Sequence, residues 1–330
     1  MNLSFISRYF LKLYSQLYKN LAEVRIDGKI LDRQTQLLLH MARKAPDLSE
    51  GSVSLARFRI KALSSFIGRV RVDPQLVIKS ESLDLENDEI LPVRRYKLQS
   101  SDSPYTLLYL HGGGGVVGDL YTHDALCSIL AKETGVEVIS LDYPLAPEHP
   151  YPAAVNSLIK TYKHFLKIKP AKHLLLGGDS AGAKLALCAQ KHFTDASIPM
   201  PKMQLLIYPW VPSNNETLPS MEAYGKDFFL TIKTIQWFRA HYGLEENLNL
   251  FENLNGIAPA FVVTAGFDPI LDHGLLFRDA LVEQGVTHWY MDCPQLIHGF
   301  VQMAGVVDEA RLAIENISRE FKKRLEEAPD

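Results

Sequence analysis

The chain has 330 residues, is 47% hydrophobic and carries a formal net charge of −3. That apolar fraction supports a large buried core and excludes a disordered chain. Acids and bases are scattered without a basic stripe or block, which argues against a nucleic-acid partner.

The N-terminal stretch is amphipathic. Leu3, Ile6, Phe10, Leu13 and Leu17 share one helical face, and Ser4, Arg8, Lys12, Ser15 and Lys19 the other. Arg8 and Lys12 interrupt what would be the apolar core of a signal peptide, and no small-residue cleavage site follows. We read this helix as part of a cap packed on the core. Peripheral membrane contact through Phe5 and Phe10 is the second reading. Residues 31–65 are again helical in pattern, broken by Pro46 and Asp47. Residues 1–85 are therefore expected to be a helical cap segment without its own sheet, burying its apolar faces on something else.

From about residue 92 the rhythm changes. Apolar or β-branched runs at 105–110, 136–141, 173–176, 203–208 and 260–264 read as buried strands. Helical periods occupy 124–133, 154–166, 181–192 and 271–283. Strands alternating with helices imply a mostly parallel sheet covered on both faces. This main domain is placed at 86–330, with a cap insertion near 213–255 that carries a helix over 231–242. A length prior of about 150 residues per domain fits two units, although α/β folds often run longer as one. No later stretch approaches the roughly 18 uncharged apolar residues of a membrane span. Cys127, Cys188 and Cys293 are widely spaced, with no zinc-like cluster, and read as packing residues in a reducing compartment. The expectation is a soluble, cytoplasmic protein.

Three motifs carry chemistry. Gly178-Asp179-Ser180-Ala181-Gly182 joins a strand to a helix, the context in which G-x-S-x-G lifts a serine hydroxyl above the sheet. His111-Gly112-Gly113-Gly114, followed by Gly115, ends the strand at 105–110. Its glycines can expose N–H groups to an oxyanion, so Gly113, Gly114 and Ala181 are the expected donors. A phosphate-cradling loop would need a lysine or Rossmann spacing after the glycines, and Val116-Val117-Gly118 supplies neither. His298, in Ile297-His298-Gly299-Phe300, follows the last candidate strand. Asp268 follows the strand at 260–264, so Ser180, Asp268 and His298 stand in the chain order that this chemistry uses. Asp272 competes with Asp268 but falls one helical turn on, where it better serves the start of the following helix.

Together with Gly118-Asp119 to His123-Asp124, Asp142-Tyr143, Leu145-Ala146-Pro147-Glu148-His149-Pro150, Tyr208-Pro209 and Asp268-Pro269, these motifs resemble the hormone-sensitive-lipase-like family of α/β-hydrolases, over about residues 105–305. The resemblance implies an α/β-hydrolase fold, with a mostly parallel eight-stranded sheet and a cap from N-terminal helices plus the insertion. It implies a serine carboxylesterase acting on short- to medium-chain acyl esters, with no metal and no cofactor; the partner is a small-molecule ester, and a homodimer is compatible with it. It makes His111, Asp179, Glu148 and His149 structural. A receptor on the same scaffold is the rival from another class, set aside because all three catalytic positions are filled; an amide hydrolase with the same machinery stays open. The chain departs from the family's pattern at four places. Gly115 stands for a bulky residue, Pro144 for an arginine, and Ala183-Lys184 for Gly-Asn. Lys184 is expected to face solvent, because lysine is rarely buried.

Overall fold

The computed structural model describes residues 22–211, 218–243 and 249–329. The amphipathic stretch at 3–17 lies outside the described residues, as do residues 212–217 and 244–248 of the insertion.

A short hairpin, β1 (Arg25–Ile26) and β2 (Lys29–Ile30), precedes helix α1 (Arg33–Ala42). Asp32 caps α1 by accepting from Thr35 N at 2.7 Å, and Ser52 caps α2 (Val53–Ile67) in the same way. Pro46 and Asp47 fall in the break between the two helices, as the sequence requires.

Then follow β3 (Leu76–Asp84), β4 (Ile90–Leu98), β5 (Thr106–Leu110), α3 (Asp124–Thr134), β6 (Glu137–Leu141), α4 (Ala153–Leu166), β7 (Leu174–Asp179), α5 (Ala181–Asp195) and β8 (Met203–Ile207). The insertion contributes α6 (Pro219–Tyr224) and α7 (Ile232–Tyr242). The chain closes with β9 (Ala260–Phe267), α8 (Leu271–Glu283), β10 (His288–Ile297) and α9 (Asp308–Glu327).

The eight-stranded sheet has the order β10-β9-β8-β7-β5-β6-β4-β3, and β4 alone runs against its neighbours. The fold class is the one expected. One boundary is corrected: residues 1–85 are not sheet-free, because Leu76–Asp84 is the edge strand. Its charges, Lys79 and Glu81, sit on a half-exposed edge, so it lacks the continuous apolar run that marks the central strands.

Side chains alternate between two cores. Leu108 and Leu110 of β5 join Leu158, Tyr162, Leu185 and Phe277 on the face covered by α4, α5 and α8. Leu107 and Tyr109 point the other way, into Leu126, Leu130, Ile314 and Phe321 beneath α3 and α9. With both faces filled, the three catalytic candidates lie at the carboxyl edge of the parallel strands.

Candidate active site

Ser180, Asp268 and His298 are each the first residue after a strand, following β7, β9 and β10 respectively. Parallel strands therefore deliver all three to one edge, although 118 positions separate serine from histidine. His298 Nε2 lies 3.0 Å from Ser180 Oγ, and Nδ1 lies 2.7 Å from Asp268 Oδ2. The other Asp268 oxygen accepts from Ile270 N at 2.8 Å, and the carboxylate is fully buried. The Tyr208 ring backs the imidazole, with centroids 4.6 Å apart.

Ser180 occupies φ 54°, ψ −118°, a strained conformation for a residue with a side chain. Its backbone is pinned on both sides: its N–H donates to Ile207 O at 2.9 Å, and its carbonyl accepts from Trp210 N at 3.1 Å and Lys184 N at 3.2 Å. The flanking glycines are required by close approach. A Cβ on Gly182 would lie 2.0 Å from Leu110 O, and one on Gly178 would lie 2.7 Å from the same oxygen. The turn is thus nested against the end of β5.

Behind the serine, Asp179 is buried and organises the glycine loop. It accepts from Tyr109 Oη at 2.8 Å, Gly112 N at 2.9 Å and Tyr208 Oη at 3.3 Å, and His123 Nε2 lies 3.3 Å away. Burial alone would raise this carboxyl, but His123 and these donors hold it below the ordinary range. His111 stacks between the rings of His123 and Tyr143. Both His111 and Asp179 thus occupy the structural positions expected of them. Among the described residues, no acceptor engages the backbone N–H of Gly113, Gly114 or Ala181.

Asp272 is not part of the hydrogen-bonded chain to Ser180. It sits in the first turn of α8 and accepts from Ser220 N of the cap helix α6 at 2.8 Å, so it ties cap to core. Glu148 and His149 lie in a loop beside the glycine loop, as expected. The loop is tied from a direction the sequence does not announce: Arg57 of α2 bonds both Glu148 oxygens and the carbonyls of Val116 and Ala146.

The expectation for Lys184 is corrected. It is 1% exposed, with Nζ over the rings of Trp210 and Tyr242. Facing aromatic rings make burial of an ammonium tolerable, and a local reading of the helix cannot see them.

A cavity of about 1850 Å³, as bounded by the described residues, opens over Ser180 and His298. Phe58 of α2, Phe229 and Leu230 of the insertion, Ile235 and Phe238 of α7, and Trp210 form much of its wall. The two halves of the cap meet at Asp47, which accepts from Thr231 Oγ1 at 2.7 Å and Thr234 Oγ1 at 2.9 Å. Arg57, Trp210 and Tyr242 all belong to this architecture and escaped the sequence reading, because no local motif marks them. No group of side chains able to hold a metal occurs among the described residues.

A strand order of this kind, with a serine on a strained strand-to-helix turn beside a histidine and an aspartate, defines an α/β-hydrolase. The comparisons agree. A family profile described as the alpha/beta hydrolase fold matches residues 107–302. Carboxylic ester hydrolase LipN of Mycobacterium tuberculosis is 31% identical over 304 residues, covering 85% of this chain and 79% of the relative. Ethyl acetate hydrolase of Pseudomonas putida is 32% identical, covering 77% and 85%. The crystal structure of LAE6, an alpha/beta hydrolase enzyme from the metagenome of Lake Arreo, Spain, superposes with a TM-score of 0.81 at 29% identity, over 89% of this chain and 98% of the other. The chain belongs to the hormone-sensitive-lipase-like carboxylesterase family, and is a carboxylic ester hydrolase.

Proposed function

We propose that the protein hydrolyses short- to medium-chain acyl esters through an acyl-enzyme formed on Ser180. The observation that carries this reading is the continuous hydrogen-bonded chain from Asp268 through His298 to Ser180 Oγ at the floor of an apolar cavity.

In this reading His298 Nε2 takes the Ser180 proton as Oγ attacks the ester carbonyl. Asp268 accepts from Nδ1–H, fixes the tautomer and stabilises the imidazolium. The N–H groups of Gly113, Gly114 and Ala181 receive the oxyanion; removing one such donor typically costs about 3–4 kcal/mol of transition-state stabilisation. The start of α5 behind Ser180 adds favourable dipole for the same charge. The alcohol leaves with the proton from His298, and water admitted to the same base then hydrolyses the acyl-enzyme. The cap, built from α1, α2, α6 and α7, shields the intermediate from bulk water. No cofactor enters any step.

No helix among the described residues is long and apolar enough to cross a membrane. We place the protein in the cytoplasm, on the strength of three cysteines that are buried thiols suited to a reducing compartment.

The test is hydrolysis of p-nitrophenyl esters from acetate to palmitate, with Ser180→Ala in parallel. Turnover peaking at short or medium chains and lost in the variant is the expected result. A folded wild-type protein inactive on the whole series would move the reading to a receptor or to another acyl substrate.

A further inference from the structure

Two departures from the family's pattern, Gly115 and Lys184, converge on one ring. Lys184 lies one turn beyond Ser180 on the helix that follows it. Its Nζ sits 4.1 Å from the centroid of Tyr242 and 4.2 Å from that of Trp210, so the ammonium lies over both rings. Tyr242 ends the cap helix α7, and Trp210 follows β8. The Tyr242 ring also covers Gly115, where a Cβ would approach it to 2.4 Å. The bulky residue common at that position in the family would therefore evict the ring.

At the other end of the stack, Trp210 lines the cavity, and its backbone N–H holds the Ser180 carbonyl at 3.1 Å. Gly115, Tyr242, Lys184 and Trp210 thus form a continuous stack from the glycine loop to the cavity wall. A cation over two rings is attracted to both, so it fixes the rings relative to each other; an apolar side chain fills the space without directing them. Because Lys184 rides on the nucleophile's own helix, the wall is referenced to Ser180 and to the cap at once.

We propose that Lys184 is a specificity-determining positioning residue: by clamping Tyr242 and Trp210 it makes Trp210 a fixed wall of the cavity and limits the size of ester accepted. The proposal rests on the esterase reading for its kinetic consequence, and on geometry alone for the placement of Trp210.

The experiment combines crystal structures with a p-nitrophenyl ester series for Lys184→Met, Tyr242→Leu and Lys184→Arg. Methionine keeps a long unbranched side chain, one atom shorter than lysine's, without its charge. In Lys184→Met and Tyr242→Leu, Trp210 should leave its place, and the ratio of kcat/KM for octanoate over acetate should rise roughly tenfold. Lys184→Arg keeps a cation that can lie over both rings and should hold that ratio within about twofold. Thermal melts verify folding. If Lys184→Met does not fold, Tyr242→Leu leaves the lysine in place and carries the same expectation. Trp210 unmoved, with an unchanged ratio in a folded variant, overturns the proposal. A wild-type protein that hydrolyses no ester overturns the esterase reading instead, and the position of Trp210 in the crystals then decides the clamp by itself.

Discussion

Arg57 grips Glu148 with two guanidinium nitrogens, 2.9 and 2.7 Å from its two carboxylate oxygens, across the seam between cap and sheet. The hydrogen bond from Arg57 pulls the Glu148 carboxyl down to about 2. Because the folded-state value lies below the ordinary one, this pair's contribution is present above the ordinary carboxyl range and is lost as pH falls toward 2. Glu148 is half exposed, so the ion pair itself contributes little. The larger effect comes from the two backbone carbonyls, of Val116 and Ala146, that Arg57 also holds.

We expect Arg57→Ala to loosen the glycine loop and to lower kcat/KM about tenfold, a cost typical of a slightly misplaced catalytic group. Glu148→Gln leaves the two carbonyl contacts intact and should lose much less. Steady-state kinetics on one ester compares them directly; equal losses would place the effect in the ion pair.

Asp268 and Asp272 lie four residues apart and should behave as different kinds of residue. Asp268→Asn should lower kcat by about 10⁴ while the fold holds, as expected when a base loses its orienting carboxylate. Asp272→Asn weakens only the tie to Ser220 and should cost roughly 1 kcal/mol of stability with kcat nearly intact. Urea denaturation alongside kinetics separates the two, and a large kcat loss in Asp272→Asn would reverse the assignment.

Gly182→Ala tests the nesting of the serine turn. With Leu110 O only 2.0 Å from the added methyl, backbone must move on one side or the other. The expected result is destabilisation of about 3 kcal/mol or more together with loss of turnover. A fully active, equally stable variant would mean that the turn adjusts freely.

Acid sensitivity should trace in part to His111. Burial, reinforced by the neighbouring His123, pushes its pKa down to about 4 from the ordinary 6.5. Between those values the unfolded chain binds a proton that the folded one refuses, so stability falls as pH drops from 6.5 toward 4. Comparing urea midpoints at neutral pH and at pH near 5, we expect a smaller drop for His111→Gln than for wild type. Parallel drops would assign the sensitivity to other groups.

The sequence was most legible where chemistry demands local conformation. Gly178 and Gly182 mark the serine turn, and the order Ser180, Asp268, His298 follows from strands that all end on one edge. The alternation of central strands and helices was readable because both faces of each strand are buried. Legibility failed where identity depends on distant partners. The edge strand β3 carries charge, because one of its sides meets water. Strand β10 mixes Asp292 and Gln295 with its apolar residues and has partly exposed side chains along most of its length. Lys184 looks like a solvated helix residue until Trp210 and Tyr242, 26 and 58 positions later, are folded over it. Arg57 likewise gains meaning only when Glu148 arrives.

The cap's assembly also bears on how the chain is made. Asp47, which joins the cap's two halves, must wait 184 residues for Thr231 to emerge from the ribosome. At ordinary elongation speeds that interval is roughly 10–40 s. Throughout it, Ala56 and Ile60 of α2 lack Leu230, Ile235 and Phe238, the insertion residues with which they share one buried cluster in the finished fold. The newborn chain should therefore be a chaperone client until the insertion is translated, and a transcript truncated before residue 231 should yield an aggregating product.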